Sequence, residues 1–220
     1  ADDVVVMYAG RVVETGKEGR SLAVGDRVIA GPNIWCGMCR DCRRGIRKMC
    51  ENNQALGITK NGGLARYVVA PARVLYPIPE TLSSEEAVFA EPLSCIRNGF
   101  HQIGTCYGDR VIVLGAGPIG LYFIRLFRYF GATEILVSEP HNARRREALR
   151  SGATSAFEPS EDLKEEMRER TKGGADVVVD TTGFLIRDAI RMARKGGKIL
   201  IFGLDATCEA TIRPYEIVRE

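Results

Sequence analysis

Histidine is nearly absent from this chain. His101 and His141 are the only two in 220 residues, and neither stands in a metal-ligand pattern, so a Cys₂His₂ finger is excluded. A surplus of one charge is missing as well. With 31 basic and 28 acidic residues the net charge is +3, which implies no polyanionic partner for the chain as a whole. Long apolar runs are lacking: Val111 to Ile124 is interrupted by Gly115, Gly117 and Gly120, and closed by Arg125, too short to cross a bilayer. The opening Ala-Asp-Asp-Val has neither the basic start nor the apolar centre of a secretory signal. Without such a signal, the seven cysteines suggest metal binding rather than a disulfide framework. A cytoplasmic globular protein is expected from 45% hydrophobic and 27% charged residues.

What the chain does have is a dense cysteine motif. Cys36-x-x-Cys39-x-x-Cys42 is followed by Cys50 after seven residues. Four thiolates from one loop can close a tetrahedral shell around zinc. A closed shell leaves no position for water or substrate, so such a site is structural. Disulfides or unpaired buried thiols are the alternative. Arg40, Arg43, Arg44, Arg47 and Lys48 stand against Asp41 alone in this loop, which raises a nucleic-acid zinc module. No histidine-bearing recognition helix accompanies them, which favours a solvated basic lobe.

The other strong signal is Val111-Ile-Val-Leu114 running into Gly115-Ala-Gly117-Pro118-Ile119-Gly120. The β-branched apolar run suits a parallel strand buried on both faces. Pro118 suits the first position of a helix, which continues to Phe130 with Gly131 as its C-terminal cap. In such a turn the first glycine permits the tight bend, the second lets a pyrophosphate approach, and the third lets helix and strand pack. A strand from Glu134 to Ser138 then ends at Glu139, about 20 residues beyond the glycines, where a carboxylate can take ribose hydroxyls. That acid favours NAD over its phosphorylated form, with Arg144, Arg145 and Arg146 as a counterweight.

Strands are further predicted at Thr154–Phe157, Asp176–Asp180 and Lys198–Phe202, alternating with helices at Asn142–Arg150, Glu161–Arg170 and Ile186–Arg194. The alternation predicts an α/β fold, a doubly wound parallel sheet of order 3-2-1-4-5. Ligands lie beyond the carboxyl ends of such strands, which nominates Thr182 and Gly183 in one loop and Phe202, Gly203 and Leu204 in another. Phe202 and Leu204 could equally be core residues, and Arg144 a solvated one. The earlier half reads as β structure, at Gly10–Thr15, Asp26–Ala30, Ala65–Ala70 and Val74–Pro77. Ser83 with Glu86 forms a capping box for a helix that Pro92 breaks after Glu91, and a second helical segment runs from Leu93 to Gln102. Two domains are expected, 1–92 with a lobe at 33–52, and 93–220.

Together these motifs resemble the zinc-containing medium-chain dehydrogenases, in their polyol (sorbitol-like) and threonine dehydrogenase branches. The four-cysteine lobe, Gly62-Gly63-Leu64-Ala65-Arg66-Tyr67-Val68-Val69, Glu91-Pro92-Leu93-Ser94-Cys95, the glycine turn and Arg194-Lys195-Gly196-Gly197-Lys198 all carry the likeness. The resemblance implies a catalytic domain with a partly open β-barrel core joined to a Rossmann domain. It implies hydride transfer between a secondary alcohol or polyol and NAD, aided by a second, catalytic zinc acting as a Lewis acid. It also implies a homo-oligomer, with no nucleic-acid or membrane partner. Ile119, Glu139, Arg144 and Phe202 to Leu204 would contact the cofactor, and Glu91 would stand at the catalytic metal, although a helix-end carboxylate is an alternative for it. Where the family carries the ligand-bearing Gly-His-Glu, however, this chain has Val5, Val6 and Met7. A fragment with an incomplete catalytic zinc site is therefore expected. A non-catalytic NAD-binding zinc module is the alternative.

Overall fold

The computed structural model describes residues 10–16, 22–104, 106–160 and 163–219, with the backbone alone at 164, 216, 218 and 219, together with the backbone of 4–8. The chain forms two compact units, Ala1–Glu91 and Pro92–Glu220. In the first, strands β1 (Val4–Tyr8), β2 (Arg11–Thr15), β3 (Val28–Ala30) and β4 (Asn33–Ile34) precede a single helical turn, α1 (Arg40–Arg43). Strands β5 (Gln54–Ala55), β6 (Val68–Pro71) and β7 (Leu75–Pro77) and the short helix α2 (Ser84–Ala87) follow. β1 pairs antiparallel with both β2 and β6, while β3 pairs with β7 and β4 with β5. Val12, Leu22, Val28, Ala70, Val74 and Leu75 are buried together beneath these small sheets.

Helix α3 (Ala90–Ile103) leads into the second unit, which alternates β8 (Arg110–Leu114), α4 (Pro118–Tyr129), β9 (Glu134–Ser138), α5 (Asn142–Arg150) and β10 (Ser155–Phe157). Helix α6 (Leu163–Arg170), β11 (Ala175–Asp180), α7 (Ile186–Met192), β12 (Ala193–Ile201) and α8 (Pro214–Arg219) complete it. The five strands form one parallel sheet, in the order β10-β9-β8-β11-β12. Numbered within this unit the order is 3-2-1-4-5, as the alternation of elements implied.

β8 lies at the middle of that sheet and shows why it is wound on both sides. Successive strand residues face opposite ways. Val111 and Val113 accordingly pack with Phe123, Ile124 and Phe127 of α4, while Ile112 and Leu114 pack with Leu163 and Met167 of α6 and Ala189 and Met192 of α7. These four apolar side chains of β8 are all buried. Full burial of each such aliphatic side chain is worth about 1.5–3 kcal/mol, so an unbroken apolar run is stable only with helices covering both faces.

The differences from the sequence-based expectation have local causes. Pro92 does not end a helix after Glu91. Helix α3 already starts at Ala90, and a proline within the first turn removes an N–H that has no intrahelical acceptor. The break falls earlier, after α2, whose capping box between Ser83 and Glu86 is formed as expected. β6 begins at Val68 rather than Ala65, because its ladder with β1 ends at the Met7–Val68 pair. The last sheet strand begins at Ala193, where a helix was expected to continue to Arg194. The register of β12 against β11 jumps from Ala175–Ala193 to Val177–Lys198, so 194–197 bulge outward, and Gly196 takes a left-handed φ of +71°. Arg194 Nε is held there by Asp176 Oδ1 at 2.6 Å. The expected helix at Glu161 begins at Leu163 among the described residues, with positions 161 and 162 outside them. No helix among the described residues is long and apolar enough to cross a membrane.

Candidate functional site

The second unit places its glycine turn at the carboxyl end of β8. Gly115 has φ of +94°, a left-handed conformation that disfavours any side chain. A Cβ there would also lie 2.6 Å from Thr181 Oγ1, whose hydroxyl donates to the Leu114 carbonyl at 2.8 Å. A Cβ on Gly120 would stand 2.1 Å from the Gly115 carbonyl oxygen, so only glycine lets α4 approach this closely. At Gly117 the situation is reversed, for a Cβ would meet nothing within 4 Å. That space opens onto the first turn of α4, whose N-cap supplies no side-chain hydrogen bond.

Glu139 lies opposite the turn and is 2% exposed. Its Oε2 accepts the Ala116 backbone N–H at 2.8 Å, and its Oε1 accepts the His141 N–H at 2.9 Å. Each oxygen therefore retains one lone-pair direction. The carboxylate also ties the glycine turn to the start of α5, a role that sequence spacing did not reveal. Arg145 lies behind this segment. Its Nη1 donates to the carbonyls of Glu139 and Pro140 at 2.8 and 2.6 Å.

A cavity of about 470 Å³ lies between the turn and the strand ends. Gly115, Gly117, Pro118, Ile119, Gly120, Glu139, Arg144 and Thr182 all line it, with His141 beside them. Gly183, Phe202, Gly203 and Leu204 are not in its lining. Gly183 and Gly203 are instead packed backbone to backbone, since a Cβ on Gly203 would fall 2.3 Å from the Gly183 nitrogen. Phe202 meets Phe123 edge-on at 5.1 Å and packs against the core, whereas Leu204 is 99% exposed.

Several lining residues were missed by sequence reasoning. Pro159 and Ser160 lie beyond the end of β10, where the same strand-end rule would have found them. Phe184 and Leu185 also line the cavity, placed there by Asp180. That fully buried carboxylate accepts the N–H groups of Thr182 at 2.8 Å, Gly183 at 3.1 Å and Leu185 at 2.9 Å, and the Thr182 hydroxyl at 2.6 Å. The loop is thereby folded back over the strand end.

In the first unit, the β4–β5 pair closes the base of the cysteine loop. The sulfurs of Cys36, Cys39, Cys42 and Cys50 all lie within 4.8 Å of one another. Thiolates about 2.3 Å from a tetrahedral zinc are about 3.8 Å apart, so only a small contraction separates this set from a metal shell. Backbone N–H groups of Met38 and Cys39 bring the Cys36 thiol down to about 6 and that of Cys42 lowers Cys39, whereas burial pushes the Cys42 thiol up to about 12, so only part of the set is drawn toward the ionised form that metal binding needs. Nearby, the Arg47 guanidinium covers the Trp35 ring at 4.6 Å. Glu91 is exposed in the first turn of α3 and lines a separate cavity of about 350 Å³ with Gly10, Arg11, Arg27, Ala30 and Ser84. Among the described residues, the four cysteines are the only group of three or more metal-ligating side chains, and Glu91 is not among them.

Residues 118–220 match the family described as zinc-binding dehydrogenase, and residues 5–80 match the alcohol dehydrogenase GroES-like domain. L-threonine 3-dehydrogenase of Caldanaerobacter subterraneus subsp. tengcongensis is 37% identical over 203 residues, which are 90% of this chain and 58% of that protein. The chain belongs to the zinc-containing medium-chain dehydrogenase family. A Sinorhizobium meliloti 1021 protein, described as a zinc-binding dehydrogenase and solved bound to NADP, shares its fold. That protein has a TM-score of 0.86 at 34% identity, covering 95% of this chain and 63% of the other. Bacillus subtilis 2R,3R-butanediol dehydrogenase gives 0.81 at 31% identity, covering 94% and 60%. The chain thus spans about three-fifths of the length of these relatives. Val5, Val6 and Met7 lie in β1, a strand paired along both edges.

The Asp180 arrangement has a measurable consequence. Asp180→Ala would strand several backbone donors in a buried loop, at about 1–3 kcal/mol for each one left unsatisfied. Urea unfolding of this variant is expected to show a loss of about 3–5 kcal/mol, whereas a loss below 1 kcal/mol would show that the loop does not depend on this carboxylate.

Proposed function

We propose that this chain binds NAD in the cavity of its second unit and holds one structural zinc in its cysteine loop. It would thereby form part of an oxidoreductase that transfers hydride between a secondary alcohol or polyol and NAD. The observation that carries this reading is the pairing of an open glycine turn with a buried carboxylate across one cavity. Gly117 leaves room for a pyrophosphate beside the uncapped α4 N–H groups. Glu139 keeps a free lone pair on each oxygen for ribose hydroxyls. Arg144 at the cavity rim would lie beside the adenosine and Thr182 would mark the nicotinamide side, with Gly183 and the Phe202 to Leu204 segment, which do not line the cavity, behind that wall. NAD, when bound, supplies the hydride acceptor. The substrate class is supported by relatives named for L-threonine and 2R,3R-butanediol, both secondary alcohols with a polar neighbouring carbon. A cytoplasmic, homo-oligomeric whole protein belongs to the same reading.

The four cysteines fit zinc in number, chemistry and spacing. The residues for a catalytic zinc do not fit. Glu91 matches the family's acidic position, but one carboxylate falls short of the three protein ligands such a metal needs. We therefore derive no step through it. A second reading, an NAD-binding zinc module without catalysis, is favoured by the valines and methionine of β1. Assays of NAD reduction by this chain with threonine, polyols and simple alcohols, with zinc supplied, are expected to show no turnover. Metal-dependent turnover abolished by Glu91→Ala would show that the catalytic site is complete after all and would exclude the second reading.

Two measurements test the ligands directly. Calorimetry is expected to show NAD bound more tightly than NADP, with Glu139→Ala weakening NAD by about 10- to 100-fold, the value of a hydrogen bond to a charged group. Equal affinities that Glu139→Ala leaves unchanged would overturn the assignment. Metal analysis of protein purified without added zinc is expected to give about one equivalent per chain, and Cys39→Ser to lower it. Metal-free protein with paired disulfides would refute the structural site.

A further inference from the structure

We propose that Arg145 is a positioning residue for the dinucleotide, fixing the carboxylate that selects NAD over NADP; this rests on the NAD-binding reading above. The residue does not line the cavity, and only 17% of its side chain is exposed. Nη1 bridges the carbonyls of Glu139 and Pro140, and Nη2 pairs with Glu158 at 3.3 Å. Glu158 directly follows β10 and precedes Pro159 and Ser160 of the opposite cavity wall. One guanidinium therefore ties together two loops, each of which contributes lining to the adenosine end.

The two carbonyls it draws together orient the segment that follows them. Turned this way, Glu139 and Pro140 direct the His141 N–H back to Glu139 Oε1, while Oε2 holds Ala116 of the glycine turn. The chain of contacts runs from Glu158 through Arg145 and the two carbonyls to the Glu139 carboxylate. A guanidinium presents several donors in a fixed planar fork, which a lysine ammonium cannot reproduce. With Nη1 engaged by two carbonyls and its charge paired with Glu158, Arg145 acts on the cofactor through Glu139 and not by direct attraction.

Positioning and direct attraction predict opposite signs, which makes the proposal testable. A Glu139 carboxylate released from its orientation loses both its hydrogen bonds to ribose hydroxyls and its repulsion of a 2′-phosphate. NAD binding then falls more than NADP binding. Removing a cation that acted through its field would instead weaken NADP, the more negative ligand, more than NAD. Calorimetric titration of the full chain with NAD and NADP would compare Arg145→Lys, which keeps the charge, with Arg145→Met, which loses it. Thermal unfolding without ligand would report whether each variant is folded. Both variants are expected to weaken NAD by about tenfold and to narrow the NAD-to-NADP preference by about threefold or more. An unchanged preference in the folded Lys variant would overturn the positioning role, as would a widened preference in the Met variant. Failure of the unaltered chain to bind either dinucleotide would overturn the NAD reading itself, and with it the role of Arg145.

Discussion

The cavity of the second unit depends on how closely α4 approaches the end of β8. Gly120 sits against the Gly115 carbonyl at a separation no side chain could share. That contact brings the first turn of the helix over the strand end, where its unpaired N–H groups face the cavity. The neighbouring strands are then drawn into the same arrangement. Thr181 reaches across from β11 to the Leu114 carbonyl, and Glu139 reaches across from β9 to Ala116. A bulkier residue at position 120 would displace the helix and both of these cross-strand bonds together.

Much of this was legible in the sequence, for reasons that differ by residue. The buried strand at Val111–Leu114 was visible because burial on two faces demands an unbroken apolar run, which few other contexts tolerate. The cysteine loop was visible because four thiols within one short loop have the number and spacing of a closed tetrahedral metal shell. Gly117 and Glu139 could be placed at one cavity because they follow adjacent parallel strands. What the sequence concealed was tertiary. The second duty of Glu139, as an acceptor for backbone N–H groups, requires knowing that Ala116 lies across from it. Phe202 was equally ambiguous until its contact with Phe123 placed it against the core. The start of α3 could not be read from Pro92, since a proline inside a first turn and one beyond a helix end look alike in a linear string.

The two units rest on different physical foundations. The second has a layered core, with Phe123 and Phe127 among aliphatic side chains on one face of its sheet, and aliphatic and methionine side chains with Phe157 packed against them on the other. Among the described residues, the core cluster of the first holds six buried side chains beneath short sheets, and much of the segment between β4 and β5 carries exposed basic side chains. A loop with so little apolar material gains from cross-linking by a metal, because ligation supplies folding free energy that hydrophobic burial there cannot. Its arginines then need no nucleic acid to explain them. Arg47 already lies over Trp35, and its neighbours keep the lobe hydrated.

Asp180 bears on the thermodynamics of occupancy. A loop that closes over its ligand must lose conformational entropy when it does so, and that loss weakens binding. Here Thr182 to Leu185 are already ordered by four hydrogen bonds to one buried carboxylate, so this wall of the cavity stands before anything enters. Little disorder remains in it to be lost. The preorganised wall shifts the entropic burden of association onto the incoming molecule, which favours a ligand whose own shape already matches the cavity over a flexible one that must be moulded to it.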